Sequence, residues 1–155
     1  MKLTHLDEKS RAKMVDVGAK PETARTAVAQ GFIHLSKEVR HLLEKQRLPK
    51  GDPFETARIA GIMAAKKTHE LIPLCHPLLL SHINVDLKVT DTGVAITATV
   101  SCRGTTGVEM EALTAVSITA LTIYDMCKAI DKDMVISDIR LIEKRGGKSG
   151  TYRRE

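Results

Sequence analysis

The chain has 155 residues, 24 Lys or Arg against 19 Asp or Glu, a formal net charge of +5, and is 43% hydrophobic but only 3% aromatic. Such a length and aliphatic content are those of one domain with a core of Leu, Ile, Val, Ala and Met, and they exclude a disordered chain. No apolar run reaches the ~18–20 residues of a membrane span, the N-terminus lacks a secretory stretch, and three cysteines without CxxC spacing read as free thiols in a reducing cytoplasm.

Residues 1–20 are polar apart from Met14-Val15-Asp16-Val17, and 1–13 read as a flexible end. Residues 25–35 can alternate as a strand, with Ala27, Ala29, Ile33 and Leu35 on one face, and a helical reading of the stretch is also open; Gly31 and the N-cap type at Ser36 favour a strand followed by a helix. The spacing of Val39, Leu42 and Leu43 predicts a helix over 37–47. Leu48 to Gly51 is a loop, and Asp52-Pro53 opens a second helix as N-cap and first-turn proline. That helix runs to about Glu70 with an inward stripe at Ile59, Ile62 and Met63, which Lys66 continues. A lysine there is either a snorkelling stem or an ammonium held against an anion.

Leu71 to Leu80 has two prolines within five positions and forms no regular helix. Ile83, Val85, Leu87 and Val89 then alternate with polar residues, as do Val94, Ile96, Ala98 and Val100 after the Asp91-Thr92-Gly93 turn. Period two with one apolar face predicts an antiparallel hairpin covered on one side. Gly107 to Ile130 reads as a long helix whose residues 112–124 carry no charge, so it is buried in a core or against another subunit. A last strand over 134–142 precedes a flexible end at 146–155. This order predicts an α+β fold with helices on one face of an antiparallel sheet.

The positive charge is unevenly placed: residues 1–139 carry 18 basic and 17 acidic side chains, whereas the last sixteen carry six and two. A basic tail suits nonspecific nucleic-acid contact, closure over a small polyanion, or mere solubility. Scarce aromatics disfavour single-strand stacking, and no Walker or GxGxxG loop is present. Lys50, Lys66, Lys67 and Arg25 are further cations for an anion site.

Asp125 and Lys128 share a face at the end of the uncharged helix. They read equally as a surface ion pair and as an acid–base pair whose pKa values partial burial moves towards neutrality. Cys75-His76 sits between Pro73 and Pro77. Its imidazole suits phosphate binding, acid–base work or simple satisfaction by backbone groups; the histidine and cysteine spacings do not match a zinc site. The residues alone thus reach an α+β domain with a polyanion site, enzymatic or merely binding.

Several words in the chain are more specific. Met14-Val15-Asp16-Val17, Lys50-Gly51-Asp52, Thr56-Ala57-Arg58-Ile59-Ala60-Gly61, LIPLCHP over 71–77, TGVEMEALTA over 106–115, LTIYDMCKA over 121–129 and GGKSG over 146–150 closely resemble the molybdenum-cofactor biosynthesis protein C family, in order and over nearly the whole chain. The resemblance implies a ferredoxin-like α+β fold, a hexamer built from dimers, and active sites at subunit interfaces. It implies conversion of 3′,8-cyclo-7,8-dihydroguanosine 5′-triphosphate, supplied by a radical S-adenosylmethionine enzyme, to cyclic pyranopterin monophosphate and diphosphate. The product would pass to molybdopterin synthase. By the same match, Asp125 and Lys128 are catalytic. Leu74, Cys75, His76, Glu109, Met110, Glu111, Lys50, Lys66, Arg25 and Lys144 bind substrate. No metal site or other cofactor is evident in the sequence; Mg²⁺ accompanying the triphosphate is left open. The competing reading is a noncatalytic basic module for nucleic acid or acidic proteins.

Overall fold

In a computed structural model, which describes residues 5–45 and 51–155, all five strands join one antiparallel sheet in the order β2-β3-β1-β4-β5. The strands are β1 (Thr23–His34), β2 (Leu80–Thr90), β3 (Gly93–Gly104), β4 (Val135–Arg145) and β5 (Tyr152–Arg153). The helices are α1 (Lys37–Glu44), α2 (Pro53–Lys66), α3 (Thr68–Leu71) and α4 (Glu109–Cys127). The expected α+β architecture is present.

Local chemistry sets the boundaries. Ser36 caps α1 by accepting the Val39 amide at 3.3 Å, and Asp52 caps α2 by accepting the Phe54 amide at 2.8 Å, with Pro53 in the first turn. The helix expected to reach Glu70 instead breaks at Lys67, where the amide turns back to the Ala64 carbonyl at 3.1 Å. The predicted alternation holds in β1 and β3: Ala27, Ala29, Ile33, Val94, Ile96, Ala98 and Val100 are fully buried. These side chains face α4 and, with Val116, Ala120 and Ile123 of that helix, form the centre of the core.

The inward stripe predicted on α2 is not the one the fold uses. Ile59 and Met63 are 57% and 52% exposed, while Ala57, Gly61, Ala64 and Ala65 are buried. The reason is closeness to α4: a Cβ at Gly61 would run into the Thr119 hydroxyl and lie 3.0 Å from the Ala115 carbonyl. Small residues therefore face α4 and Ile59 and Met63 turn outward, while Ile62, the third residue of the predicted stripe, is half-buried against the core. Three hydroxyls of the uncharged helix are satisfied within it: Ser117, Thr119 and Thr122 donate to the carbonyls four residues back at 2.7–2.8 Å.

Among the described residues, both end segments make hydrogen bonds of their own. Residues 146–150 turn back so that β5 pairs with β4, Glu143 opposite Arg153. The Glu143 carboxylate clips this edge, accepting from Arg153 Nε at 2.9 Å and pairing with Arg145 as well. Near the other end, Asp7 accepts the Lys9 and Arg11 amides at 2.9 Å and binds the Arg11 guanidinium, while the Lys13 amide returns to the His5 carbonyl at 2.9 Å. Among the described residues, no helix is long and apolar enough to cross a membrane.

Candidate active site

Two neighbouring cavities open where the first turn of α4 meets the ends of β1 and β4. The first, about 440 Å³, is lined by Leu74, Cys75 and His76 from the proline-rich loop, by Glu109, Met110 and Glu111 from α4, and by Val15 and Val17. The second, about 880 Å³, is lined by Arg25, Lys144, Lys148 and Ser149. Lys20, Thr106, Gly107 and Glu109 belong to both walls. One concavity thus has a carboxyl-, thiol- and imidazole-bearing end and a cationic end.

The loop is held by a turn, the Cys75 amide donating to the Ile72 carbonyl at 3.0 Å. His76 Nε2 lies 2.8 Å from the Val15 carbonyl oxygen, so the backbone-satisfied histidine and the site histidine are the same residue. Burial raises the Cys75 thiol, and the Glu111 carboxylate raises it further, which opposes a thiolate nucleophile beside His76. The Cys127 thiol, fully buried in α4, is pushed up to about 11. Glu111 is only 4% exposed. Burial is the main cause that lifts its pKa, Glu109 adds to the lift, and its own backbone amide partly opposes it. Among the described residues, Glu111 has no ion pair.

At the cationic end, Arg25 donates through Nε to the Gly104 carbonyl and through a terminal nitrogen to that of Thr105, both at 3.3 Å. Its guanidinium lies against Gly147, where φ is +75° and a Cβ would strike it. The ammonium of Lys144 donates to Ser149. The basic tail therefore forms a cavity wall, with Lys144 and Lys148 on it and Arg145 and Arg153 engaged by Glu143.

The chain carries a match to the MoaC family over residues 14–147. It belongs to that family. It is 61% identical over 152 residues to the cyclic pyranopterin monophosphate synthase of Roseiflexus sp. (strain RS-1), covering 97% of this chain and 96% of the relative. The synthase of the same name from Novosphingobium aromaticivorans is 59% identical over 151 residues, covering 97% and 96%. That of Chloroflexus aurantiacus (strain J-10-fl) is 60% identical over 154 residues, covering 98% and 94%.

Eight sequence-predicted residues of this MoaC-family chain converge on the two cavities: Arg25, Leu74, Cys75, His76, Glu109, Met110, Glu111 and Lys144. Lys66 does not; it is exposed at the far end of α2, on the side where Met63 also turns outward. Lys50 lies outside the described residues. Asp125 and Lys128 form their ion pair, Nζ to Oδ1 at 2.7 Å, with side chains 54% and 52% exposed. For Lys128 the expected shift towards neutrality is reversed: the Asp125 hydrogen bond and charge keep it above the usual lysine range. The pair is also remote from the cavities, since sixteen residues of α4 separate Asp125 from Glu109, about 24 Å at 1.5 Å per residue.

Lys148 joins the wall as one of the C-terminal cations that the sequence offers for an anion site, whereas Val15, Val17, Lys20 and Thr106 are lining residues that sequence reasoning does not single out. Val15, Val17 and Thr106 have a signal, as parts of the specific words MVDV and TGVEMEALTA; Lys20 has none. Among the described residues, no group of three or more His, Cys, Asp and Glu side chains is arranged to hold a metal.

Proposed function

We propose that this chain is a cyclic pyranopterin monophosphate synthase. It converts 3′,8-cyclo-7,8-dihydroguanosine 5′-triphosphate to cyclic pyranopterin monophosphate and diphosphate in molybdenum-cofactor biosynthesis. The observation that carries this reading is the pair of joined cavities. The cationic end, with Lys20, Arg25, Lys144 and Lys148, suits a triphosphate and the charge that grows on departing diphosphate. The end with His76, Glu111 and Met110 suits a polar heterocycle whose ring must open and reclose by proton transfers. A hydroxyl of the substrate attacks the α-phosphorus, the bond to the bridging oxygen breaks, and diphosphate leaves with the electron pair. A divalent cation, where one takes part, arrives as part of the triphosphate.

Asp125 and Lys128 act, in this reading, at the cavity of a second subunit. The separation of about 24 Å along α4 keeps them from their own chain's cavity. Outward-facing Ile59, Met63 and Leu121 supply apolar surface for such an assembly, a hexamer with ferredoxin-like subunits and the sheet order β2-β3-β1-β4. The protein works in the cytoplasm, between a radical S-adenosylmethionine enzyme that supplies its substrate and molybdopterin synthase. The noncatalytic basic module is the weaker reading, because four of the tail's six cations are committed elsewhere: Lys144 and Lys148 line the cavity, and Arg145 and Arg153 pair with Glu143.

The test is to supply the cyclic dihydro-GTP to purified protein and assay for cyclic pyranopterin monophosphate and diphosphate. No turnover by folded, oligomeric protein sinks the reading. Mixing inactive Asp125→Ala and His76→Ala chains then tests the shared site: hybrid oligomers regain activity if the two residues meet across an interface, and regain none if each chain is complete.

A further inference from the structure

Met14-Val15-Asp16-Val17 is a specific word of the chain that lines the first cavity at Val15 and Val17 and has no task in the chemistry above. Resting on the reading of the first cavity as part of the active site, we propose that this segment is a positioning element for His76. The Val15 carbonyl, oriented by a turn at Asp16, holds the imidazole as its Nε2–H tautomer and leaves Nδ1 as the nitrogen that exchanges a proton with substrate.

The geometry is direct. A carbonyl oxygen only accepts, so at 2.8 Å from the Val15 oxygen His76 Nε2 must carry the hydrogen. In the neutral ring Nδ1 then holds the lone pair. Among the described residues Nδ1 has no hydrogen-bond partner, and the ring lines the cavity. The arrangement is that of a catalytic histidine whose second nitrogen is anchored to fix ring plane and tautomer.

The acceptor is itself fixed on both sides. Asp16 Oδ1 accepts the Gly18 amide at 2.9 Å, which restrains the backbone of Asp16 and with it the Val15–Asp16 peptide plane. The Lys20 amide closes the next turn on the Val17 carbonyl at 3.0 Å. Upstream, the bond from the Lys13 amide to the His5 carbonyl closes the loop pinned by Asp7. Asp16 does not line either cavity, so it acts on the reaction through Val15 and His76 alone. The titratable groups sharing the cavity with the ring are His5, Lys20, Cys75, Glu109 and Glu111.

The tautomer can be read on the full-length, unmodified chain by ¹⁵N NMR of histidine-labelled protein without substrate, the His76 signals being those missing from His76→Gln. In the neutral ring, read at alkaline pH, the expected state has Nε2 protonated and Nδ1 bare; a protonated Nδ1 overturns the proposal. Activity supplies the second measurement. Asp16→Ala removes the turn and should lower kcat about 10–100-fold, the usual range for groups that orient a functional histidine, with KM within about twofold. Asp16→Asn, which keeps the accepting oxygen, should restore the wild-type kcat. Unchanged kcat in folded Asp16→Ala, or an Asp16→Asn variant as impaired as the alanine, overturns the proposal. Should Asp16→Ala not fold, the tautomer and Asp16→Asn decide. Absent turnover in the unmodified chain would defeat the synthase reading and leave the tautomer measurement standing.

Discussion

Replacing Glu111 by Gln should make the protein more stable at neutral pH and less active. Glu111 is 4% exposed in the first turn of α4, and burial raises its pKa. A carboxyl whose folded pKa lies above its unfolded value binds its proton more tightly when folded. Its favourable contribution is complete below the unfolded pKa and is lost as pH rises through the folded one. At pH 8 the native state therefore carries the cost of a buried carboxylate, which glutamine, of the same shape and always neutral, does not. With no ion pair to offset it among the described residues, the gain is on the order of 1–3 kcal/mol, the cost of a poorly satisfied buried polar group. For a chain of this length that is roughly 2–10 °C in Tm. The assay is thermal or urea unfolding of both proteins from pH 5 to 9 at one protein concentration. The curves should approach each other at the acid end and separate with rising pH. Equal stability at all pH values, or a wild type that is the more stable at pH 8, would refute the reasoning, because it would mean that the carboxylate is paired in the assembled protein. Turnover should fall in the same variant by about tenfold or more, as for loss of a proton-transferring group.

Other expectations concern the cavity walls and the packing. Asp125→Ala and Lys128→Ala should each abolish product formation while leaving the oligomer intact by light scattering. Gly147→Val, at φ +75° and against the Arg25 guanidinium, should raise KM roughly tenfold, the equivalent of one lost charge-assisted hydrogen bond of about 1.5 kcal/mol. Gly61→Ala trades up to about 1 kcal/mol of helix propensity against overpacking of about 1–3 kcal/mol at Thr119 and Ala115, so a net loss in urea unfolding is expected. Arg145 and Arg153 hold the Glu143 carboxyl below its usual range. Its contribution is present above the unfolded pKa and lost as pH falls through the folded one. Arg153→Ala should therefore lower stability at pH 7, with the difference narrowing in acid.

Much of this protein is decided within short stretches of its chain. The alternation in β1, β2 and β3, the caps at Ser36 and Asp52 and the uncharged run of α4 each depend on a few neighbouring residues, and each appears where its pattern predicts. The site words LCH and GVEME likewise flank elements whose ends must meet once the sheet forms, so their residues share a cavity. Other features depend on what lies opposite. Periodicity on α2 offers two faces, one with Ile59 and Met63 and one with Ala57, Gly61 and Ala64. Only the close approach of α4 selects the small one. That choice turns Lys66 outward and leaves apolar side chains for another surface. The tail reads as a loose basic end until β4 presents Glu143 and its edge to β5. The hydrogen bond from His76 to Val15 spans 61 positions and has no local signal at all. Composition likewise marked a polyanion-binding charge but not its place. Folding gathers Lys20, Arg25, Lys144 and Lys148 from distant parts of the chain into one wall, and it sets Asp125 and Lys128 at the opposite end of a rigid helix. Sequence by itself determined the elements, the family and most of the residues that meet. Tertiary structure decided which faces are spent on the core and which remain for the site and for neighbours, because burial is a property of pairs of elements and not of either alone.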